Sequence, residues 1–183
     1  MFEFIGQLVI IVLVADFATG FFHWLEDTYC TTDLLYNICN DNIVHHETPN
    51  AMISGTIWSR NVPTFIIWVA SMVTIGLAIN TWQTYLMLTI AALGNEIHYI
   101  NHISRKNMNG VRRFLSDSGL IQSRQQHNRH HSRPYTKCYC VITSLTNEVL
   151  DITRFWRGLE LLVKMVSFGK IVPQRGLASR RGE

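Results

Sequence analysis

The first 59 residues contain no lysine or arginine, although the chain of 183 residues has 16 of them. A stretch of 35 residues, 61–95, has no Asp, Glu, Lys, Arg or His. One membrane-crossing helix needs about 20 apolar residues, so this stretch is long enough for two. The absence of charge argues against an ordinary soluble domain, and a soluble protein with a very apolar core is the alternative.

The chain also lacks internal repeats, low-complexity linkers and any change of composition that would mark a second domain. We therefore predict one domain over residues 1–169, followed by a loose basic tail at 170–183. Cysteine is scarce, with four residues: Cys30, Cys39, Cys138 and Cys140. No second pair matches Cys138 and Cys140 as zinc ligands, so we predict free thiols in a reducing compartment.

Polar residues 80–84 divide the uncharged stretch, and Trp82 and Tyr85 are placed there as aromatic residues of a membrane interface. This pattern predicts a transmembrane hairpin of two helices, 62–79 and 84–102. A third span is predicted at 4–22, where Asp16 is the only charge. A cleaved signal peptide is disfavoured because a basic start is missing. The sequence thus predicts an all-α, multi-pass transmembrane bundle.

The basic residues fall on one side of this predicted topology. Arg60, seven residues between 105 and 133, and eight from 137 onward all lie away from the hairpin turn. Under the positive-inside rule that side is cytoplasmic. We expect a bacterial inner membrane or an endoplasmic reticulum, and no nucleic-acid partner.

All eight histidines fall on that same side when the predicted spans are threaded. Each has another histidine nearby, or, in the case of His23, an aspartate four residues on. Side chains three or four residues apart share one face of a helix, so these spacings predict convergent ligands. The candidate metal ligands are His23, Asp27, His45, His46, His98, His102, His127, His130 and His131.

Two helices are predicted beyond the hairpin. One covers residues 119–132 and presents the last three histidines, with residues 116–118 as its N-cap and Pro134 as its stop. The other covers residues 147–168, is amphipathic and is expected to lie at the membrane interface. Its basic residues are candidates for binding a headgroup or an electron donor.

Histidine with one carboxylate suits zinc, iron, copper or nickel better than magnesium or calcium. Nine ligands are too many for one ion, so the set indicates a dinuclear site. Taken singly, each cluster can be a coincidence, a polar loop or a headgroup patch, but their shared side weakens that explanation. Zinc would favour hydrolysis, whereas iron would favour oxygen chemistry.

Three further polar residues are candidates for orienting the ligands. Asp16 lies within the first predicted span, where a charge costs about 2.5–3.5 kcal/mol on insertion scales, so we expect it to face the interior and orient a histidine. Asn95 and Glu96 precede His98 and are candidates for the same role. The alternatives are packing for Asp16 and simple solvation for Glu96.

Five segments carry a family resemblance: ADFATGFFHWLEDTY (15–29), VHHETP (44–49), NEIHYINH (95–102), QQHNRHH (125–131) and CYCVITSLTNEVLDITRFWRGLE (138–160). In this order they resemble the Kua or CarF-like lipid desaturase family. That family includes plasmanylethanolamine desaturases and a plant plastid desaturase of palmitoyl-phosphatidylglycerol. The resemblance covers residues 15–160 and includes the spacing of every histidine and the aspartate after the first one.

The resemblance implies a multi-pass membrane enzyme whose nine candidate ligands hold two iron ions. It would use O2 and two electrons, from a cytochrome b5-like or ferredoxin-like donor, to place a double bond in an alkyl or acyl chain of a membrane phospholipid. Adjacent side chains on a helix diverge by about 100°, so one of His45 and His46 is a candidate for a supporting position. A di-iron hydroxylase, a zinc hydrolase and a non-catalytic lipid-binding protein remain alternatives.

Overall fold

The computed structural model describes residues 2–30 and 36–173, of which 36–40 by their backbone alone. Within these residues every regular element is helical, which confirms the all-α prediction. Most of the predicted tail, residues 174–183, and the side chain of Cys39 lie outside the described part.

The helices are numbered in chain order. They are α1 (Phe2–Tyr29), α2 (Tyr36–Glu47), α3 (Ala51–Ser54), α4 (Ile57–Ser71), α5 (Leu77–Ile79), α6 (Trp82–His102), α7 (Gly110–Ser118), α8 (Arg124–His130), α9 (Ser144–Ile152) and α10 (Phe155–Val166). A π-helical turn, Met72–Gly76, joins α4 to α5 without a break, and a 3₁₀ turn, Arg105–Asn107, precedes α7.

The predicted hairpin forms from α4–α5 and α6, which are joined at Asn80. This residue ends α5 in a left-handed conformation, with φ of 49°. The two arms are antiparallel, because Arg60 near the start of α4 pairs with Glu96 near the end of α6 at 3.1 Å. Among the described helices, Phe2–Tyr29 and Ile57–Ile79 are long and apolar enough to cross a membrane. The third predicted span and the multi-pass topology therefore stay predictions.

Helix α1 lies beside α6 and runs in the same direction. The rings of Phe4 and Trp82 lie 5.9 Å apart at one end, and those of His23 and His98 lie 5.7 Å apart near the other. The body of the fold is therefore three long helices, and the histidine-bearing ends of α1 and α6 lie together.

The helix predicted over residues 119–132 is wrong in its first half. Residues 116–118 end α7, and Gly119 follows in the left-handed conformation with φ of 73°. Helix α8 begins after Ser123, whose hydroxyl accepts a hydrogen bond from the Gln126 amide at 3.3 Å. A short polar run resembles an N-cap in sequence, but it also suits the last turn before a left-handed glycine.

The single helix predicted over residues 147–168 is also wrong, because two helices, α9 and α10, occupy this region. Arg154 separates them with a left-handed φ of 54°. Helix α10 is amphipathic as predicted: Trp156 and Glu160 are buried, and the exposed side chains include Leu161, Leu162, Met165 and Val166. Its location at a membrane interface stays a prediction.

Cys138 and Cys140 are free, as predicted, and both are buried. Burial, reinforced by the neighbouring Asp151 carboxylate, raises the pKa of the Cys138 thiol to about 12. Burial likewise raises the pKa of Cys140. Cys30 is disulfide-bonded, so the prediction of a free thiol is wrong at that position.

An irregular segment, residues 138–143, packs directly on α1 at Gly20. A Cβ atom at Gly20 would overlap the Cys140 Sγ atom and lie 3.1 Å from the Cys140 Cα and N atoms. Gly94 of α6 is similarly close, since its Cβ would lie 2.9 Å from the Thr19 Cγ2 atom. The small residues let α1, α6 and the 138–143 segment approach one another closely.

We predict that Gly20→Ala destabilises the fold by about 2 kcal/mol, because an overpacked core must shift to accept the new methyl group. Gly6→Ala is the matched control on the same helix, since nothing lies within 4 Å of its Cβ position. Thermal unfolding of the purified proteins in detergent measures the difference. Equal melting temperatures for the two variants would contradict the packing described here.

Candidate metal centre

All nine predicted ligand residues meet at one end of the three long helices. They form two groups, each with ligand atoms within 4.8 Å of one another, and one further histidine beside them. The all-histidine group is His45, His98, His102 and His131. The aspartate group is His23, Asp27, His46 and His130.

Helices α1 and α6 each supply two side chains to a single group. Helix α1 carries His23 and Asp27 four residues apart, with the His23 Nε2 atom 4.0 Å from the Asp27 Oδ2 atom. Helix α6 carries His98 and His102, also four apart, with ring centroids separated by 5.1 Å. The spacing of one helical turn therefore brings each pair to a common point.

The short helices instead divide their histidines between the groups. On α2, His45 contributes to the all-histidine group and the adjacent His46 to the aspartate group. At α8, His130 contributes to the aspartate group and the next residue, His131, to the other. Both members of the α2 pair thus lie in groups that could hold a metal ion. That one of them takes a supporting position stays a prediction.

His127 lies next to the all-histidine group. Its Nε2 atom is 2.8 Å from the Nε2 atom of His102, and its ring centroid is 4.6 Å from that of His98. The side chain is almost fully buried. It therefore has access to the same ion position as that group.

The hydrogen bonds of the aspartate group leave several lone pairs pointing at one place. The Nδ1 atoms of His23 and His130 lie 3.1 and 2.9 Å from the carbonyl oxygens of Tyr139 and Lys137. A carbonyl only accepts, so each Nδ1 carries the proton and each Nε2 of a neutral ring carries a lone pair. These two Nε2 atoms face each other at 3.0 Å.

The Asp27 carboxylate adds further negative charge to this position. Its Oδ2 atom is buried, has no hydrogen-bond partner among the described residues and lies 3.5 Å from the His130 Nε2 atom. Burial keeps the pKa of His130 well below its ordinary value, so this ring is neutral near pH 7. Acceptors without a donor are costly in a buried site, and a bound cation would stabilise them.

The all-histidine group has the same character. The Nε2 atoms of His45 and His98 lie 2.7 Å apart, and both ring nitrogens of His131 are buried without a partner. Burial, with repulsion from neighbouring imidazoles, lowers the pKa of His127 to about 2 and that of His131 to about 3. Neutral imidazoles are the protonation state that binds a metal ion. The residues present therefore fit a metal ion in each group.

Among the described residues Asp16 has no hydrogen bond to a histidine, so its predicted partner is wrong. The buried carboxylate accepts hydrogen bonds from the Ile142 amide at 2.8 Å and from the Thr143 amide and hydroxyl at 3.0 and 2.7 Å. It therefore anchors the 138–143 segment to α1. Its connection to the metal centre is indirect, through the Tyr139 carbonyl that the same segment places against His23.

Asn95 and Glu96 have no described hydrogen bond to a histidine either. The Asn95 amide donates to the Arg60 carbonyl oxygen at 2.7 Å, and the Glu96 carboxylate accepts from the Asn61 amide at 2.6 Å and pairs with Arg60. Both residues hold α4 against α6 beside the centre. Their proximity to His98 in the sequence suggested a different role, but both side chains contact α4 instead.

Sequence reasoning missed the groups that do orient the ligands. Two are backbone carbonyls, of Lys137 and Tyr139, and no residue type signals such a contact. A third is Asn42, whose amide donates to the Asp27 Oδ1 atom at 2.7 Å. Asn42 lies on α2 three residues before His45, so its helical spacing was the signal that could have identified it.

Buried amides support the 138–143 segment. Asn147 accepts from the Cys140 amide at 2.9 Å and donates to the Cys140 carbonyl at 2.7 Å. Gln122 donates to the same carbonyl at 2.8 Å. Both side chains are almost fully buried. The segment that orients His23 is thus fixed from several sides.

Comparison with known families shows what this chain is related to. The family described as "Lipid desaturase domain" matches residues 12–171. The chain belongs to the lipid desaturase family. The match includes every residue of the two metal-ligand groups. No solved structure matches the chain significantly.

Curated relatives come from plants, animals and bacteria. Fatty acid desaturase 4-like 1 of Arabidopsis thaliana is 28% identical, over 80% of this chain and 52% of its own length. Plasmanylethanolamine desaturase 1 of Mus musculus is 27% identical, over 83% and 62%. Plasmanylethanolamine desaturase of Myxococcus xanthus is 26% identical, over 82% and 57%. This lipid desaturase chain therefore spans little more than half of these relatives.

We predict that Asp16→Asn lowers the metal content of the folded protein and its stability, the latter by about 2 kcal/mol, because an amide cannot accept all three buried hydrogen bonds. The control is Glu3→Gln, an exposed acid on the same helix. Metal analysis of the monodisperse fraction and thermal unfolding measure the two effects. An Asp16→Asn variant with full metal content would show that this anchor is unnecessary for the centre.

Proposed function

We propose that this chain is a membrane enzyme that introduces a double bond into an alkyl or acyl chain of a phospholipid. The observation that carries the proposal is the pair of four-residue groups, each with its ligand atoms within 4.8 Å of one another. In one of them the buried Nε2 lone pairs of His23 and His130 face each other at 3.0 Å. Membership of the lipid desaturase family supports the reaction type, and the names of the relatives support an ether-linked or fatty acyl chain as substrate.

The proposed cofactor is a pair of iron ions, one at each group, with His127 available to the all-histidine ion. Seven imidazoles and one carboxylate in the two groups suit a transition metal, and zinc is disfavoured because it has no redox chemistry. When bound, the two iron ions would supply the oxidising power to break unactivated C–H bonds, which side chains alone cannot do.

The overall reaction balances with O2 as the oxidant. Conversion of CH2–CH2 to CH=CH removes two protons and two electrons from the lipid chain. An external donor supplies two more electrons, and with two protons from water these reduce O2 to two water molecules. We propose a cytochrome b5-like or ferredoxin-like donor, for which the exposed Arg129, Arg133 and Lys137 beside His130 offer a basic docking surface.

The residues of the chain hold the centre in a fixed and dry environment. The carbonyls of Tyr139 and Lys137 fix the tautomers of His23 and His130, and Asn42 fixes the Asp27 carboxylate. Because burial lowers the pKa values of His127, His130 and His131, these imidazoles do not need to lose protons before binding a metal. The same burial excludes water from a site where a reactive oxidant would otherwise be quenched.

The proposed location is a membrane, with the metal centre on the cytoplasmic side. The two long apolar helices support a membrane location, and the placement of the basic residues supports the side. The disulfide at Cys30, at the same end of α1, is instead typical of an oxidising compartment. We give more weight to the charge asymmetry because it extends over the whole chain.

Expression in a host, followed by metal analysis and lipidomics, tests the function. We expect iron in the purified wild-type protein and a new unsaturated phospholipid in its host. His98→Ala and His130→Ala, one in each group, should lose at least half of the iron and all of the product. Asn128→Ala, an exposed change on α8, should lose neither. Zinc without iron, and no oxygen-dependent lipid product, would favour a hydrolase and refute this proposal.

Labelling of introduced cysteines in intact cells tests the topology. We expect Gln83→Cys, beside the hairpin turn, to react with a membrane-impermeant maleimide, and Lys106→Cys, near the histidines, to react only after the cells are opened. The native Cys138 and Cys140 are buried and give a low background. The reverse labelling pattern would place the metal centre on the outer side, in agreement with the disulfide at Cys30.

A further inference from the structure

A cavity of about 590 Å³ lies between α1, α4 and α6 and reaches the metal centre. His23, His45 and His98 form part of its wall at one end. The charged residues that line it, Glu26, Asp41 and Arg60, are at this same end. The cavity therefore has a polar end, which holds the candidate ligands.

The opposite end of the cavity is apolar. Its wall consists mainly of Ile67, Trp68 and Ile75 from the α4–α5 arm and Met87 and Leu88 from α6. None of the cavity-lining residues in this deeper part, within the described ranges, is charged. A soluble polar substrate would lose its hydration there without compensation, whereas a hydrocarbon chain would bury its surface favourably.

The length of the cavity suits an extended chain. Met87 and His98 are eleven residues apart on α6, which corresponds to about 16 Å at 1.5 Å per residue. An extended hydrocarbon advances by about 1.3 Å per carbon, given bonds of about 1.5 Å and angles near 111°. The distance from the histidines to the deep wall therefore accommodates about twelve carbons.

The cavity also has a route to the surrounding apolar phase. Ile67 and Ile75 line it and are 42% and 44% exposed on the outside of the α4–α5 arm. Their neighbours Ile66 and Val73 are exposed as well, so the outer face of this arm is apolar. A chain can pass from a bilayer into the cavity without crossing a polar surface.

We propose that this cavity binds a single hydrocarbon chain of the substrate lipid, with its headgroup end at Arg60, and that the wall around Ser71 and Leu88 limits the chain length. This inference rests on the proposed lipid desaturase function and specifies where its substrate lies. Ser71 is half-buried and lines the cavity eleven residues beyond Arg60 on α4, so it occupies the deep level. A larger or smaller side chain at this depth should change the length of the longest hydrocarbon chain that fits.

Photocrosslinking tests the binding site without requiring turnover. The purified chain is placed in bilayers that contain phospholipid with a diazirine either near the chain end or near the carboxyl end. We expect the chain-end probe to label peptides around Ser71 and Leu88, and the other probe to label peptides around Arg60. Labelling confined to the outer face, such as Val69 and Val73, and independent of probe position would overturn the proposal.

Matched variants test the length limit in the same experiment and in lipidomics of the host. Ser71→Phe should reduce deep labelling and lower the ratio of long-chain to short-chain products at least fivefold, while Leu88→Ala should raise that ratio. Ala70→Phe is the control, since Ala70 is exposed on the same helix and does not line the cavity. The length limit is refuted if neither variant changes the ratio, or if the control changes it equally.

The two proposals fail in different ways. Position-dependent crosslinking with no iron and no unsaturated product would refute the desaturase function and leave the chain-binding site supported. Unsaturated product from the wild type, with crosslinking that ignores probe position, would refute the chain-binding site alone.

Discussion

The arrangement of the structure depends on an unfavourable contact: imidazole nitrogens that carry lone pairs face one another inside the protein. His23 and His130 cannot relieve this by changing tautomer, because backbone carbonyls already accept from their Nδ1 atoms. The Asp27 carboxylate only adds negative charge. A folded chain that positions acceptors in this way is organised around a cation, and the helices, the irregular segment and the buried amides all serve that organisation.

The sequence predicted the convergence of the candidate ligands and the long helices because both depend on local spacing. His98 and His102 share a helix face wherever the helix is placed. An uncharged run of 35 residues is long enough for two apolar helices joined by a turn. The shared end of the three helices followed from their connectivity. These predictions needed no knowledge of tertiary contacts.

The residues that orient the ligands were predicted poorly for the opposite reason. The role of Asp16 was predicted from the cost of a charge within an apolar span, and the roles of Asn95 and Glu96 from their proximity to His98 in sequence. Each contacts backbone or side chains of another element instead. The carbonyl of Tyr139 orients His23 across 116 positions of sequence, and every residue has such a carbonyl. The helix breaks at Gly119 and Arg154 likewise depend on packing as much as on residue type.

Helix α2 contributes to both groups, and so does α8 together with His131. Neither ion position can therefore be completed independently. An ion that orders His46 also orders the adjacent His45. An ion that orders His130 does the same for His131. The first ion would thus remove much of the conformational entropy that the second would otherwise have to overcome. Loading of the two positions should be cooperative, and a half-loaded centre should be a scarce species at equilibrium.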